Sequence, residues 1–295
     1  MIYNLADTID DRLCADLLPE PAKNANKYSR GCLLVIAGST HYPGAAILTT
    51  LAACRSGAGY VTLAVPEPVV PIAQSHLLTA PVVGFRSDSG GGFARTAYEH
   101  LTQMIDACDA IVMGPGMGRD SQAASLVRKV VTTCPVPLVL DADGLNAFEG
   151  HVDDLCMAKT RMILTPHAGE LARLGTVDTL AAPSRVVVAK GPDTVISDGV
   201  REVVDQTGPP SLATAGTGDV LAGLIGGFVC QGLGIFDAAA LGVKLHSTAA
   251  RLAVKQTTSC GMIATDVINF IPRAMKSIKE SSENAYGTTV PAIMG

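Results

Sequence analysis

Short and almost entirely apolar runs alternate along this chain with alanine-rich stretches of helical character. The apolar runs are Cys32–Ala37, Val61–Val65, Ala110–Met113, Leu138–Leu140 and Met162–Thr165, and the helical stretches are Ala45–Ser56, Val69–His76 and Ser121–Thr133. Strands that are apolar at every position are typical of a parallel sheet that helices cover on both faces. The alternation therefore predicts an α/β fold with a mainly parallel central sheet and helices on both sides.

Shorter β-rich runs follow this regular part of the chain. Val186–Ala189, Thr194–Ser197 and Arg201–Asp205 predict short antiparallel strands or hairpins at one edge of the sheet. Two long helices are expected at about 220–231 and 237–254. We find no linker and expect one domain over 1–295, with its core at about 17–272 and a polar, turn-rich tail, loose or docked, at about 276–295.

Composition limits the classes of partner. The 295 residues are 48% hydrophobic and carry a formal net charge of -5 without a basic block. This argues against nucleic acid or an acidic membrane as the main partner, so that backbone amides and helix dipoles would have to hold an anionic ligand. The eight cysteines stand singly, as reduced core residues do. The first ten residues lack a basic start and an apolar segment, and we expect a cytoplasmic protein.

Unusual residues gather in the loops that follow the predicted strands. These loops are Gly38–Gly44, Gly114–Gly118, Asp141–Asn146 and Pro166–Glu170. Open parallel sheets bind their ligands at the carboxyl ends of the strands. Ordinary turn chemistry explains any one of these loops, but four in succession indicate a binding site.

One carboxylate, Asp219, stands at a glycine-rich helix start within Ser211–Asp219. Gly216, Thr217 and Gly218 allow the backbone amides of residues 215–218 to turn toward one point, where the helix dipole favours a transferring phosphate. Beside an anion, Asp219 repels the ligand unless it holds a metal or takes a proton. The alternative is an ordinary helix with an acidic first turn.

The sequence Gly114-Pro-Gly-Met-Gly118 resembles a dinucleotide fingerprint only in part. A G-x-G-x-x-G motif needs its third glycine at position 119, which is Arg119. A hydride-transferring Rossmann enzyme is therefore not favoured, and we interpret the motif as a wall that permits close backbone approach.

Four further groups are candidates, each with an ordinary structural alternative. Asp141, Asp143 and Asn146 could gather around Mg²⁺ or ligand hydroxyls, or form an Asx turn and a helix cap. His167 could donate to a ligand, or satisfy a turn.

Glu170 could organise metal-bound water, or be a first-turn acid. Lys190, Gly191, Pro192, Asp193 and Thr194 could surround an adenosine phosphate, or form a hairpin turn with a solvated lysine.

Taken in order, these motifs resemble the ADP- or ATP-dependent NAD(P)H-hydrate dehydratases over about residues 17–272. The resemblance rests on Gly38-Ser39 with Tyr42–Ala46, Gly57–Val61, Gly114–Gly118, Leu140–Asn146, Leu164–Glu170, Lys190-Gly191 and Leu212–Gly223. It implies a ribokinase-like three-layer α/β/α fold. Many related sugar and vitamin kinases have Asn in place of His167, which favours the dehydratase branch. Such enzymes phosphorylate the hydroxyl of the hydrated nicotinamide ring and then eliminate phosphate, restoring NADH or NADPH.

The resemblance also implies roles for individual residues. Asp219 would be the catalytic base, and Gly216, Thr217 and Gly218 would stabilise the transferring phosphoryl group. The hydrated dinucleotide would be bound by Gly44, Ala45, Ala46, Gly118, His167, Asn146 and Asp219. The nucleotide, ADP or ATP, would be bound by Lys190, Gly191, Pro192, Asp193, Thr194 and Gly218. Mg²⁺ would be carried by the phosphates, with Glu170 (through water) and Asp141 as candidate contacts.

Two departures from the family pattern stand out. The segment 175–185 has room for one short helix, where the family usually has a longer crossover, so one face of the sheet would be thinly covered or filled by a neighbouring subunit. About thirty residues precede the first predicted strand, so we expect no N-terminal epimerase domain and a separate epimerase acting on the same substrates. We also expect a homo-oligomer, with a tetramer as one form.

Two other functions stay open at this point. A kinase of a small hydroxylated metabolite or vitamin precursor would use the same anion-binding loop and the same Asp219, but release a stable phosphate ester. A nucleotide-binding sensor without turnover is the second, although a pure binder gains nothing from a carboxylate that faces phosphate.

Overall fold

The computed structural model describes residues 7–287, which contain ten strands and twelve α-helices. The strands are β1 (Asp7–Thr8), β2 (Cys32–Ile36), β3 (Tyr60–Pro66), β4 (Val82–Phe85), β5 (Ala110–Met113), β6 (Leu138–Leu140), β7 (Met162–Leu164), β8 (Arg185–Ala189), β9 (Thr194–Ser197) and β10 (Glu202–Asp205). The helices are α1 (Asp11–Leu17), α2 (Pro43–Arg55), α3 (Val70–His76), α4 (Tyr98–Ile105), α5 (Ser121–Thr133), α6 (Asp143–Asn146), α7 (Val152–Met157), α8 (Ala168–Leu174), α9 (Val177–Leu180), α10 (Thr217–Cys230), α11 (Ile235–Gln256) and α12 (Ala264–Gly287).

All ten strands form one sheet in the order β1-β10-β9-β8-β7-β6-β5-β2-β3-β4. Within the described part of the chain, β9 alone runs against its neighbours, β8 and β10. The predicted antiparallel edge is thus confirmed for β9, whereas β8 extends the parallel block beside β7. The predicted mainly parallel sheet is confirmed.

Residues of each central strand point alternately into two apolar cores. Leu33 and Val35 of β2 lie in the core under α2, α10, α11 and α12, and Leu34 and Ile36 lie in the core under α4 to α9. Because both faces are covered, these strands have no polar face, which explains their uniformly apolar sequence. The three-layer α/β/α architecture follows.

The chain order of the strands reverses beside β2. From β2 the chain proceeds to β3 and β4 on one side, and then returns to β5 on the other. Loops that leave the adjacent ends of β2 and β5 diverge at such a switch point and leave a crevice. This crevice is where the predicted loops 38–44 and 114–118 lie.

The end of the chain differs from its prediction. Residues 276–287, expected in a polar and turn-rich tail, belong to α12, while 288–295 lie outside the described residues. Ile271, Ala274 and Ile278 are buried at helical spacing against the first core, so the polar residues between them occupy the outer face of an amphipathic helix. A third helix therefore follows the two predicted long ones.

The segment 175–185 holds a single short helix, α9, as predicted. Leu174, just before this segment, and Leu180, within it, are buried in the second core. The contribution of a neighbouring subunit here stays a prediction.

Glycines bring α10 into backbone contact with α2 and the sheet. An added Cβ would lie 2.1 Å from the carbonyl oxygen of Thr49 at Gly223, and 2.2 Å from Val112 Cγ2 at Gly226. No side chain fits at these distances. Gly223 and Gly226 therefore determine how closely α10 packs against Thr49 of α2 and against the Val112 side chain of β5.

We predict that Gly223→Ala destabilises the protein by about 1–3 kcal/mol, because the added methyl group forces α10 away from Thr49. Urea unfolding measures this as a lower transition midpoint. The matched control is Gly44→Ala in α2, where nothing lies within 4 Å of an added Cβ and the change should be neutral or stabilising by up to about 1 kcal/mol. Equal midpoints for the two variants would contradict the prediction.

Candidate active site

The start of α10 is shaped by Gly216. This residue has φ +89°, and a Cβ there would lie 2.6 Å from Leu48 Cδ1 of α2. The Thr217 hydroxyl donates to the carbonyl oxygens of Leu212 (2.7 Å) and Thr214 (2.8 Å), which closes the preceding loop. The Thr217 amide donates to Thr214 O at 3.3 Å. The following first-turn amides have no carbonyl partner within a helix, and they supply the anion-binding end.

Asp219 is half-buried in this first turn. Burial is the main cause that raises the pKa of its carboxyl group to about 7, and the negative charges of Asp141 and Asp143 raise it further, against an opposing effect of Lys190. A carboxyl group with this pKa is divided between its protonated and ionised forms near neutrality. It can therefore accept a proton from a substrate hydroxyl.

Lys190 is not a solvated turn residue. Its Nζ lies 2.8 Å from Asp141 Oδ1 and 3.3 Å from the position of a Cβ on Gly218. Thr165 donates its hydroxyl to the same Asp141 oxygen at 2.7 Å. Burial opposes the charge of Lys190, but the carboxylates of Asp141, Glu170 and Asp219 outweigh it and raise the pKa. The ammonium group is therefore a fixed cation beside the start of α10.

His167 and Glu170 form a reciprocal cap at the start of α8. His167 Nδ1 accepts from the amides of Gly169 (3.0 Å) and Glu170 (3.3 Å), and the His167 amide donates to Glu170 Oε2 at 2.9 Å. His167 thus satisfies a turn and Glu170 is a first-turn acid, as the structural alternatives for these two residues stated. The His167 ring is half exposed, and its contact with substrate stays a prediction.

Asp143 connects two of the predicted loops. Its Oδ2 accepts from the Gly118 amide at 2.8 Å and its Oδ1 from Asn146 Nδ2 at 3.2 Å, while Arg173 donates to Asn146 Oδ1 at 2.7 Å. Ala142, just before it, has φ +51°. A strained alanine between two carboxylates shows that the packing, more than local preference, sets the positions of Asp141 and Asp143.

A cavity of about 440 Å³ opens at the switch point. Its lining comprises Tyr42, Ala45, Gly116, Gly118, Arg119 and Asp143. Gly118 has φ +81° with nothing within 4 Å of an added Cβ, so a ligand can approach its backbone. The predicted substrate residues Ala45 and Gly118 therefore share one cavity.

Several other predicted residues lie around this centre. Ala46 is fully buried in α2, and Gly44 is the second residue of the same helix, next to the cavity residue Ala45. Gly191, Pro192 and Asp193 form an exposed turn between β8 and β9. The Thr194 hydroxyl donates to Gly191 O at 3.2 Å, which closes this turn. Their contact with a nucleotide stays a prediction.

The carboxylates predicted to approach Mg²⁺, those of Asp141 and Glu170, already have partners within the protein. Asp141 Oδ1 is bound by Lys190 and Thr165, and both Glu170 oxygens face His167. Within residues that the structure describes, no three His, Cys, Asp or Glu side chains group closely enough to hold an ion. These residues do not fit a metal held by the protein alone.

The chain is similar to known proteins of one family. A family model described as NAD(P)H-hydrate dehydratase matches residues 33–273. The chain belongs to the NAD(P)H-hydrate dehydratase family. The ADP-dependent (S)-NAD(P)H-hydrate dehydratase of Xanthomonas campestris is 35% identical over 271 residues, which cover 86% of this chain and 91% of that protein.

Two further relatives of the family differ in length. The bifunctional NAD(P)H-hydrate repair enzyme of Salinibacter ruber is 39% identical over 270 residues, and the match covers 86% of this chain but 50% of that protein. The ADP/ATP-dependent NAD(P)H-hydrate dehydratase of Bacillus subtilis, co-crystallised with ATP and Mg²⁺, is 28% identical with a TM-score of 0.79, covering 94% of this chain and 100% of that chain. This chain spans about half the length of the bifunctional family members.

Some site residues were not found by sequence reasoning. Thr165 holds Asp141, Tyr42 and Arg119 line the cavity, and Arg173 holds Asn146. Thr165 carried a signal, since it is the one polar residue that ends an apolar run. Arg173 carried none, because a contact across 27 positions depends on the path of the chain.

Two further sequence expectations can be assessed here. All eight cysteines are free, but Cys260 is exposed and does not fit the expected core position. Across residues 7–287, we find no helix with the length and apolar character needed to span a membrane.

We predict that Asp219→Asn raises the melting temperature by about 2–4 °C at pH 8.5 and by less at pH 5.5. An aspartate with a raised native pKa favours the folded state at low pH, and this contribution is lost as the pH rises from the unfolded value of 3.8 through about 7. Asn carries no charge and avoids the loss. Calorimetry at the two pH values measures the difference, with exposed Asp16→Asn as control; a pH-independent shift would contradict the assigned titration.

Proposed function

We propose that this chain catalyses the ADP- or ATP-dependent dehydration of the (S) epimer of hydrated NADH and NADPH to NADH and NADPH. The observation that carries the proposal is Asp219, half-buried at the anion-binding start of α10 with a pKa of about 7. Membership of the dehydratase family supports the same reaction.

In the first step, Asp219 accepts the proton of the ring hydroxyl, and the hydroxyl oxygen attacks the terminal phosphorus of the nucleotide. The bond from this phosphorus to the bridging oxygen breaks, and ADP leaves when ATP is the donor, or AMP when ADP is the donor. First-turn amides of α10 and the Lys190 ammonium group lie where negative charge develops.

In the second step, the carbon–oxygen bond of the ring phosphate breaks and inorganic phosphate leaves. The neighbouring ring carbon loses a proton, which restores the double bond of the reduced nicotinamide. Phosphorylation converts a poor leaving group into a good one. A kinase that stops at the phosphate ester would lack only this elimination.

The contacts of Lys190 support its role in nucleotide binding. Its ammonium group lies beside Gly218 and is held by Asp141, so it presents a fixed charge to a phosphate. We infer that the adjacent turn, Gly191–Thr194, contacts the rest of the nucleotide. Mg²⁺ would then enter with the nucleotide phosphates, with Glu170 and Asp141 reached through water at most.

Other expectations stay part of the proposal. A separate epimerase would supply the (S) form from the (R) form. A homo-oligomer, with a tetramer as one form, and a cytoplasmic location also remain predictions.

The test measures recovery of the reduced-nicotinamide absorbance from chemically hydrated NADH and NADPH with Mg²⁺ and ADP, ATP or no nucleotide. Recovery that requires a nucleotide is the expected result, and it also identifies the donor. No recovery with either nucleotide would refute the proposal, and a screen of hydroxylated acceptors for stable phosphate esters would then test the small-metabolite kinase.

We predict that Asp219→Asn lowers kcat by about 10²–10⁴-fold, because the amide cannot accept the hydroxyl proton. Nucleotide affinity should change less than twofold, as measured by calorimetric titration. The control is Asp16→Asn, which is exposed on α1 and should retain wild-type kcat. Unchanged turnover of Asp219→Asn would exclude this residue as the base.

The pH profile gives an independent check. Because Asp219 acts in its ionised form, kcat/KM of the wild type should fall about tenfold per pH unit below about 7 and level off above it. Blanks without enzyme correct for acid decay of the substrates. A midpoint near 4 would mean that another group governs the reaction.

A further inference from the structure

Arg119 is an exposed cation in the switch-point cavity that the steps above do not use. It follows Gly118 and precedes the cap of α5, and 61% of its side chain is exposed. Its Nε lies 3.9 Å from Asp143 Oδ1, beyond hydrogen-bonding distance. At this distance the contact makes no hydrogen bond, so it leaves the guanidinium N–H donors available to a ligand.

The cavity lies on the far side of the Asp141–Asp143 segment from the start of α10. Asp143 lines the cavity, while Asp141, two residues before it, holds Lys190 Nζ at 2.8 Å, and this ammonium group lies 3.3 Å from the position of a Cβ on Gly218, beside Asp219. A substrate whose ring hydroxyl lies at Asp219 therefore extends past Asp143 toward Arg119. The cavity volume of about 440 Å³ suits part of a dinucleotide.

Asp143 poses an electrostatic problem for such a substrate. A dinucleotide is anionic at its pyrophosphate, and a carboxylate in the cavity wall repels it. Among the six lining residues, Arg119 is the one that carries positive charge. A guanidinium group presents a planar fork that binds phosphate oxygens in pairs.

We propose that Arg119 binds the pyrophosphate of the hydrated dinucleotide and offsets the charge of Asp143. This rests on the proposed function. The ring and its ribose occupy the space from Asp219 outward, so the pyrophosphate is the first anionic group to reach Arg119. The 2′-phosphate of hydrated NADPH lies farther along, on the adenosine ribose. Arg119 therefore serves both substrates alike.

The test compares Arg119→Gln with Arg119→Lys and a control, Arg161→Gln. Arg161 is exposed and precedes β7, so it lies at the amino end of this strand, whereas the site lies at the carboxyl ends. For Arg119→Gln we expect KM for hydrated NADH and hydrated NADPH to rise equally, by about tenfold, with kcat and the KM of the nucleotide within twofold of wild type. Arg119→Lys should restore part of the affinity, and the control should match wild type.

Three kinetic results would overturn the proposal. The first is an unchanged KM for both hydrated dinucleotides. The second is a rise in KM for hydrated NADPH alone, which would place the 2′-phosphate at Arg119. The third is a rise in KM for the nucleotide instead of the dinucleotides. Binding of NADH and NADPH without nucleotide, followed by their fluorescence, separates this proposal from the reaction itself. About tenfold weaker binding to Arg119→Gln supports the Arg119 site even if the wild type repairs neither substrate, while wild-type protein that binds neither dinucleotide overturns it.

Discussion

The contact between α10 and α2 is the constraint on which the site depends. At Gly223 the α10 backbone approaches Thr49 O of α2 more closely than any side chain permits, and at Gly226 it approaches β5 in the same way. A helix pressed this tightly cannot slide or rotate without collisions. The position of its first turn, and with it Asp219, is thereby fixed relative to the carboxyl ends of β2 and β5.

A cluster of like charges follows from this placement. Asp141, Asp143 and Asp219 surround the start of α10, and Lys190 is the cation that contacts Asp141. Partial burial of three carboxylates with one ammonium group leaves an excess of negative charge, which keeps Asp219 easy to protonate. Loss of Lys190 would leave Asp141 buried without its partner, a change that costs about 3–5 kcal/mol in comparable sites. The ion pair between Lys190 and Asp141 therefore affects both the stability of the protein and the proton affinity of Asp219.

Much of the fold could be predicted because the central strands are almost entirely apolar. The bounds of α5, β5, β6 and β9 match their predictions, since these elements are followed directly by Cys134-Pro135, Gly114, Asp141 and Asp198. The periodicity of α12 was missed because its outer face is almost wholly polar and its mean hydropathy is low. A helix of this kind is recognised only when the buried positions Ile271, Ala274 and Ile278 are seen to share one face.

The candidate site was predictable in its loops but not in its pairings. The motifs identified Asp141, Lys190 and Asp219 separately, yet the 49 positions between Asp141 and Lys190 conceal their ion pair. One of the two alternatives for Lys190 was a solvated lysine, because a Pro-Asp turn is usually exposed. The structure reverses this for the side chain of Lys190 alone, while Pro192 and Asp193 are indeed exposed.

The distribution of cations suits the two anionic molecules that the proposed reaction brings together. Lys190 contacts Asp141 and Arg119 lies near Asp143, so the Asp141-Ala142-Asp143 segment separates two positive groups. One faces the anion-binding start of α10, and the other faces the open cavity. Phosphates of a nucleotide and of a dinucleotide repel each other, and a pair of carboxylates between two cations gives each its own favourable region. Contacts with Lys190 and Thr165 hold Asp141 at this boundary, and contacts with Gly118 and Asn146 hold Asp143 there, although Ala142 between them adopts a strained φ of +51°.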